Sequence, residues 1–231
     1  MTSTNPIVLI VGASRGLGLG IAGEYLARGW DVIGTVRPGG RTPLHDLADA
    51  HPGRVSVETL DITAPEQIAA LRDRLSGRSL DTLFVNAGTT THDPLITIGD
   101  VDTDEFTRVL VTNALSPMRV VEALYDRVPA TGLIGVMTSG QGSIANNRNG
   151  RGDVYRASKA ALNMLMQGFA ARHPDRAALL LAPGWIKTAL GGPDAPFTLE
   201  ESVPILVDLL LAARGKPGLR YLDRFGATVP W

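Results

Sequence analysis

The sequence contains no cysteine, which excludes disulfides, thiolate nucleophiles, zinc–thiolate sites and iron–sulfur clusters. Histidine is scarce as well: His45, His51, His92 and His173 are scattered without ligand-like spacing, so no metal site is expected. An excess of either charge is also missing, since 22 Lys plus Arg stand against 23 Asp plus Glu for a net charge of -1. With no basic stripe, neither nucleic acid nor a membrane surface is expected as a partner. No apolar run approaches the roughly 18 residues of a membrane span. The early run Ile7–Val11 is short and the first basic residue, Arg15, follows it, which is not the pattern of a signal peptide. A soluble cytoplasmic protein is the expectation.

What is present is apolar and evenly mixed. Over 231 residues, 44% are hydrophobic and 19% charged, which suits one compact α/β domain spanning 1–231 and leaves little room for a second independent core. Pro6–Val11 reads as a buried strand that breaks at Gly12 into a glycine-rich turn and then a helix through Arg28. The alternation continues with strands at Trp30–Val36, Arg54–Glu58, Leu80–Val85, Gly132–Thr138 and Ala177–Leu181. Helices are expected at Pro43–Ala50, Pro65–Leu75, Thr103–Arg127, Val154–Arg172 and Leu199–Ala213. Strands alternating with helices predict a doubly wound, Rossmann-type parallel sheet with helices on both faces. Thr63 with Glu66, Asp102 with Glu105 and Thr198 with Glu201 have capping-box spacing, so these acids read as helix caps and not as catalysts.

The turn Gly12-Ala-Ser-Arg-Gly-Leu-Gly18 lies between the first strand and the first helix, where glycines let a pyrophosphate approach backbone amides at a helix N-terminus. Its Gly-x-x-x-Gly-x-Gly spacing is one residue off the common dinucleotide fingerprint, and it lacks the Gly-Lys-Ser/Thr ending of a P-loop. An NAD site normally carries Asp or Glu at the end of the second strand. Here Thr35-Val36-Arg37 offers none, which favours NADP, with Arg37 and Arg15 as candidates for the 2′-phosphate. A solvated loop charge is the other reading of Arg37.

Near the start of a predicted helix, Tyr155-Arg-Ala-Ser-Lys159 puts a phenol and an ammonium on one face. Chance alone would produce such a pair in about one chain in twenty of this composition. Taken in order, Gly12–Gly18, Asp61-Ile62, Asn86-Ala87-Gly88, Asn113, Ser139, Tyr155/Lys159 and Pro183-Gly184 resemble the short-chain dehydrogenase/reductase family over nearly the whole chain. Tyr155–Asn163, Pro183–Thr188 and Pro230-Trp231 look most like its C-factor and sniffer-type carbonyl reductase branch.

The resemblance implies a catalytic set of Asn113, Ser139, Tyr155 and Lys159. It implies a cofactor site of Gly12, Ser14, Arg15, Gly16, Leu17, Gly18, Arg37, Asp61, Ile62, Asn86, Ala87, Gly88, Tyr155, Lys159, Pro183, Gly184, Trp185, Ile186 and Thr188. NADPH-dependent reduction of an aldehyde, ketone or quinone to an alcohol follows. In that reading Tyr155 gives the proton, Ser139 bonds the substrate oxygen, and Lys159 holds the nicotinamide ribose and lowers the Tyr155 pKa. Asn113 positions a water that links Lys159 to solvent. Ser139 precedes Tyr155 by 16 residues, more than is usual in the family, so Ser143 is a second candidate for the serine, and Ser143–Asp153 reads as a loop beside the cleft. Trp185 could stack near the nicotinamide or fill core. Asn113 could be an ordinary helix polar residue, and Gly88 could serve close packing.

The expected partner is a small carbonyl or alcohol. The apolar positions Ala157, Ala160, Ala161, Leu162, Leu165, Met166 and Phe169 suggest a homodimer or homotetramer through helices 103–127 and 154–172. A non-catalytic NADP-binding sensor on the same fold is the rival reading. A sugar-nucleotide epimerase fits less well, because the region after Leu199 is short for a substrate lobe.

Overall fold

A computed structural model describes residues 5–93, 95–148 and 150–231. Seven strands form one parallel sheet in the order β3-β2-β1-β4-β5-β6-β7: β1 (Ile7–Val11), β2 (Asp31–Val36), β3 (Val55–Thr59), β4 (Thr82–Val85), β5 (Leu133–Met137), β6 (Ala177–Ala182) and β7 (Gly218–Asp223). The helices are α1 (Gly16–Ala27), α2 (Pro43–Ala50), α3 (Pro65–Arg74), α4 (Thr103–Leu110), α5 (Ser116–Leu124), α6 (Asp153–Arg172) and α7 (Leu199–Ala213). The central strands are continuous apolar runs because both their faces are covered. Leu9 and Val11 face one core with Met118, Val121, Leu162, Met166 and Phe169 from α5 and α6. Val8 and Ile10 face the other, with Ile21 and Tyr25 from α1 and Leu206 and Leu210 from α7.

After β3 at one edge the chain crosses to β4 on the far side of β1, so the strand order reverses there. Beyond the carboxyl ends of β1 and β4 this reversal leaves a crevice, where open α/β sheets bind ligands.

Three expectations need correction. β7 was not foreseen: Gly218-Leu-Arg-Tyr-Leu-Asp223 is a short, partly charged edge strand, and its pairing with β6 is what makes it one. The single helix expected over 103–127 is interrupted by a π-helical turn at Val111–Leu115, after which α5 starts afresh, and Tyr125–Arg127 is a 3-10 turn. Pro117 has no N–H to continue the ladder, so it stands in the first turn of a new helix. At α3 the cap is Ala64 and not Thr63, whose amide and hydroxyl both donate to Asp61 Oδ1. Asp102 caps α4 as expected, but the Glu105 carboxylate pairs with Arg108 and accepts from the His92 amide. Thr198 and Glu201 form the full capping box on α7.

Candidate active site

The glycine-rich turn is held to the sheet from both sides. Gly12 N donates to Thr35 Oγ1 at 2.9 Å, and Asn86 Nδ2 donates to Gly12 O at 2.8 Å. Gly12 has φ +89°, and a Cβ on Gly18 would lie 2.1 Å from Gly12 O and 2.6 Å from Asn86 Nδ2. No side chain fits at either position, so the backbone closes tightly here. The first turn of α1 contains no acid and Arg15 makes no side-chain cap, leaving the amide end of the helix suited to an anion. Asn86 N and Ala87 N both donate to Val11 O at 2.9 Å, which joins the Asn86–Gly88 segment to the same turn. The arrangement fits a dinucleotide pyrophosphate.

Beside it opens a cleft of about 560 Å³ lined by Ser14, Arg15, Arg37, Arg41, Thr42 and Asp61, among others. Arg37 directly follows β2, and no carboxylate ends that strand. Arg41 is engaged by Asp46 at 2.8 Å and by Asp49, whereas Arg15 and Arg37 make no ion pair among the described residues. The Thr63 hydrogen bonds hold the Asp61 carboxyl below the usual carboxylate range, and the charge of Arg37 adds to the effect. Ile62 is buried, packing in the core beneath the cleft. Sequence reasoning missed Arg41; its signal was a second arginine closing the Arg37-Pro-Gly-Gly-Arg41 loop.

The candidate catalytic side chains come from three neighbouring segments. Asn113 sits fully buried in the π turn, where Nδ2 donates to Thr89 O at 2.8 Å and to Ser158 Oγ at 2.9 Å, and Oδ1 accepts from Thr89 N at 2.8 Å. Ser158 Oγ donates in turn to Tyr155 O at 2.7 Å. Lys159 is 3% exposed, with Nζ donating to Met137 O at 3.0 Å. A Cβ on Gly88 would lie 3.3 Å from Asn113 Oδ1 and 3.4 Å from Lys159 Nζ, so both side chains abut that glycine. All polar atoms of the Asn113 side chain are spent on Thr89 and Ser158, with no direct bond to Lys159. Ser158 is a further residue that sequence reasoning passed over, although it lies within the Tyr155–Lys159 motif.

Of the two serines, Ser139 is the one whose hydroxyl acts on the Tyr155 phenol, and its Oγ accepts from Gln141 N at 3.1 Å. Ser143 is buried, and its Oγ accepts from Asn146 N at 3.2 Å within a local turn. Of the loop expected over Ser143–Asp153, Asn149 is outside the described residues and Asp153 already begins α6. Burial raises the Tyr155 pKa, and the Ser139 hydrogen bond only partly opposes it. The expected depression by Lys159 is not seen. Nζ lies 5.9 Å from the centroid of the Tyr155 ring and is turned onto the Met137 carbonyl, and burial outweighs attraction at that separation. Burial also pulls Lys159 down to about 8.

Beyond β6, Gly184 has φ +84° and Ile186 is buried, while Trp185 is 55% exposed with Nε1 donating to Gly191 O at 2.6 Å. Trp185 is therefore not core. A Cβ on Gly16 would lie 3.8 Å from Thr188 Cγ2, which brings the Pro183–Thr188 segment to the glycine-rich turn. Leu17 packs partly buried against the α1–α7 core. Among the described residues no group of three or more His, Asp or Glu could hold a metal ion, and no helix is long and apolar enough to cross a membrane.

Comparison with known proteins agrees with this geometry. A family model described as short chain dehydrogenase matches residues 6–196. A short-chain dehydrogenase/reductase from Burkholderia multivorans, solved with bound NADP, is 62% identical with a TM-score of 0.97, covering 98% of this chain and 100% of that one. A carbonyl reductase from Pseudomonas aeruginosa PAO1 in complex with NADP is 35% identical with a TM-score of 0.90, covering 99% and 100%. C-signal from Myxococcus xanthus is 35% identical over 156 residues, 66% of this chain and 93% of its own.

The buried amine makes a prediction about stability. The unfolded chain keeps the Lys159 proton up to the ordinary 10.5, and the fold releases it near 8. The penalty for burying the charge is therefore full below pH 8 and is relieved as pH rises from 8 to 10.5. In urea denaturation, the stability of Lys159→Met relative to the parent chain is expected to fall by about 2–3 kcal/mol between pH 7 and pH 10. A difference independent of pH would show that the amine does not titrate there.

Proposed function

The chain belongs to the short-chain dehydrogenase family, and from that premise we propose that it is a single-domain oxidoreductase that reduces an aldehyde, ketone or quinone with NADPH. The observation that carries the reading is the buried Lys159, one helical turn after Tyr155 with Nζ 5.9 Å from the phenol ring, beside the segment that carries Ser139. NADPH, when bound, supplies the hydride that reaches the carbonyl carbon. Gly12, Ser14, Gly16, Leu17 and Gly18 would hold its pyrophosphate, and Arg15 and Arg37 its 2′-phosphate. Asp61 and Ile62 would border the adenine, while Asn86–Gly88, Tyr155, Lys159 and Pro183–Thr188 would line the nicotinamide half.

Tyr155 Oη gives its proton to the substrate oxygen as negative charge develops there, and Ser139 Oγ donates a hydrogen bond to the same oxygen. Because burial keeps the phenol protonated, Tyr155 is in the acid form that reduction requires. The Lys159 ammonium stabilises the phenolate left behind, offsetting the cost of its own burial. Asn113 contributes by fixing Thr89 and Ser158, which frame the tyrosine and lysine. The exposed Trp185 and Leu190 give the substrate side apolar walls.

Assembly into a homodimer or homotetramer through α4, α5 and α6 is part of the same proposal, and so is a cytoplasmic location. Leu162, Met166 and Phe169 are spent on the core, but Phe106, Leu115, Met164 and Leu165 remain 39–71% exposed on that side.

The first test is carbonyl-dependent oxidation of NADPH against NADH over a panel of aldehydes, ketones and quinones. Tyr155→Phe is expected to bind NADPH normally and to lose at least a hundredfold in kcat, about the size of a general-acid contribution. Tight NADPH binding by the parent chain with no turnover on any panel member would favour the non-catalytic sensor. Arg37→Ala is expected to raise the Kd for NADPH about tenfold and to leave NADH nearly unchanged, as for one charge-assisted phosphate contact. Equal weakening of both would remove the 2′-phosphate assignment. Light scattering at micromolar concentration should show a dimer or tetramer that Met164→Glu dissociates; a monomeric parent chain refutes the assembly.

A further inference from the structure

The segment that carries Ser139 is gripped by side chains from two other elements. From α6, Asn163 Oδ1 accepts from Thr138 Oγ1 at 2.7 Å and Asn163 Nδ2 donates to Gly142 O at 3.3 Å. The turn Gly140–Gly142 lies flat on that helix: a Cβ on Gly142 would stand 2.9 Å from Asn163 Nδ2 and 3.0 Å from the backbone of Lys159. From β7, Tyr221 Oη donates to Ser139 O at 2.6 Å, reaching 82 residues along the chain. Ser139 O also accepts from Gly142 N at 2.9 Å, so this one carbonyl closes the turn and ties it to the edge strand.

Tyr221 is itself fixed. It is 2% exposed, its carbonyl accepts from Val229 N at 2.9 Å, and its ring centroid lies 5.5 Å from that of Trp231. Trp231 O in turn accepts from Ala145 N at 2.9 Å, so the residues that follow β7 fold back onto the loop after Ser139. Burial raises the Tyr221 pKa, which keeps its hydroxyl a donor across the working range. A phenylalanine would fill nearly the same volume, and the hydroxyl adds a hydrogen bond to the backbone of Ser139 beside Asn163.

We propose that Tyr221 is a positioning residue for the reaction: its hydroxyl, with Asn163, sets the backbone of Ser139 and thereby aims the Ser139 hydroxyl at Tyr155 and at the substrate oxygen. The proposal rests on the reductase reading for its kinetic consequence and on geometry alone for the clamp. Tyr221→Phe keeps the ring, the packing against Trp231 and the Val229 bond, and removes one buried donor.

Two measurements test it. In Tyr221→Phe the Gly142 amide, followed by hydrogen exchange, is expected to exchange at least tenfold faster while amides of α1 and β1 are unchanged. Unchanged exchange at Gly142 overturns the clamp whether or not the protein turns over any carbonyl. Tyr221→Phe is also expected to lower kcat about tenfold with KM and NADPH affinity within twofold of the parent chain, and to have less than a twofold effect in a Ser139→Ala background. An equal loss in both backgrounds, or no loss in the first, overturns the action through Ser139. If the parent chain proves inactive on the whole panel while Gly142 exchange still responds, the reductase reading and the kinetic half of the proposal fall, and the clamp stands.

Discussion

Lys159 is an ammonium taken almost wholly out of water and met by one carbonyl, Met137 O. Such a charge is costly to bury, and the surrounding elements are arranged around keeping it there. β5 must end at Met137 to present that carbonyl, and α6 must lie along β5 closely enough for Lys159 to reach it. Gly88 lies where Lys159 and Asn113 converge. Tyr155 then falls one turn earlier on the same helix. Ser139, two residues beyond Met137, acts on the phenol from the segment that follows β5.

The same sheet edge supplies the other half of the site by a different means. Charge is not buried there but left available: Arg15 and Arg37 face a cleft without ion-pair partners among the described residues, while Arg41 is already neutralised by Asp46 and Asp49. Between the halves lies a stretch where only backbone fits, since Gly12 and Gly18 leave no space for a Cβ. A site with strong fixed charge at one end, bare amides in the middle and a buried acid–base pair at the other is matched to a long, unsymmetrical anionic ligand. The family to which the chain belongs and the NADP-bound relatives agree with that shape.

Much of this was legible in the residue order. The apolar runs of β1, β4, β5 and β6 are strong signals because both faces of each strand are buried, and the glycine-rich turn, the Asn86–Gly88 segment and the Tyr155/Lys159 pair lie at their ends. Elements that owe their form to a neighbour were not legible. β7 is short, interrupted by Arg220 and ended by Asp223, and is a strand because β6 offers it an edge. The π turn at Asn113 reflects the missing N–H of Pro117, a local cause whose outcome, a kink or a bulge, depends on what packs against it. Thr63 and Glu105 had cap spacing, yet Asp61 and Arg108 offered them better partners.

The sequence by itself determined the alternation of strands and helices, the place of the glycine-rich turn, the want of a carboxylate after β2 and the one-turn spacing of Tyr155 and Lys159. These are local properties, written in periodicity, in backbone freedom and in side-chain type. Only the tertiary structure buried Ser143 in a local turn, put Trp185 at the surface, spent the Asn113 amide on Thr89 and Ser158, and raised the Tyr155 pKa where a depression was expected. Each of those depends on distance, direction and exclusion of water between segments far apart in the chain. Tyr221, 82 residues from the serine it holds, is the plainest case.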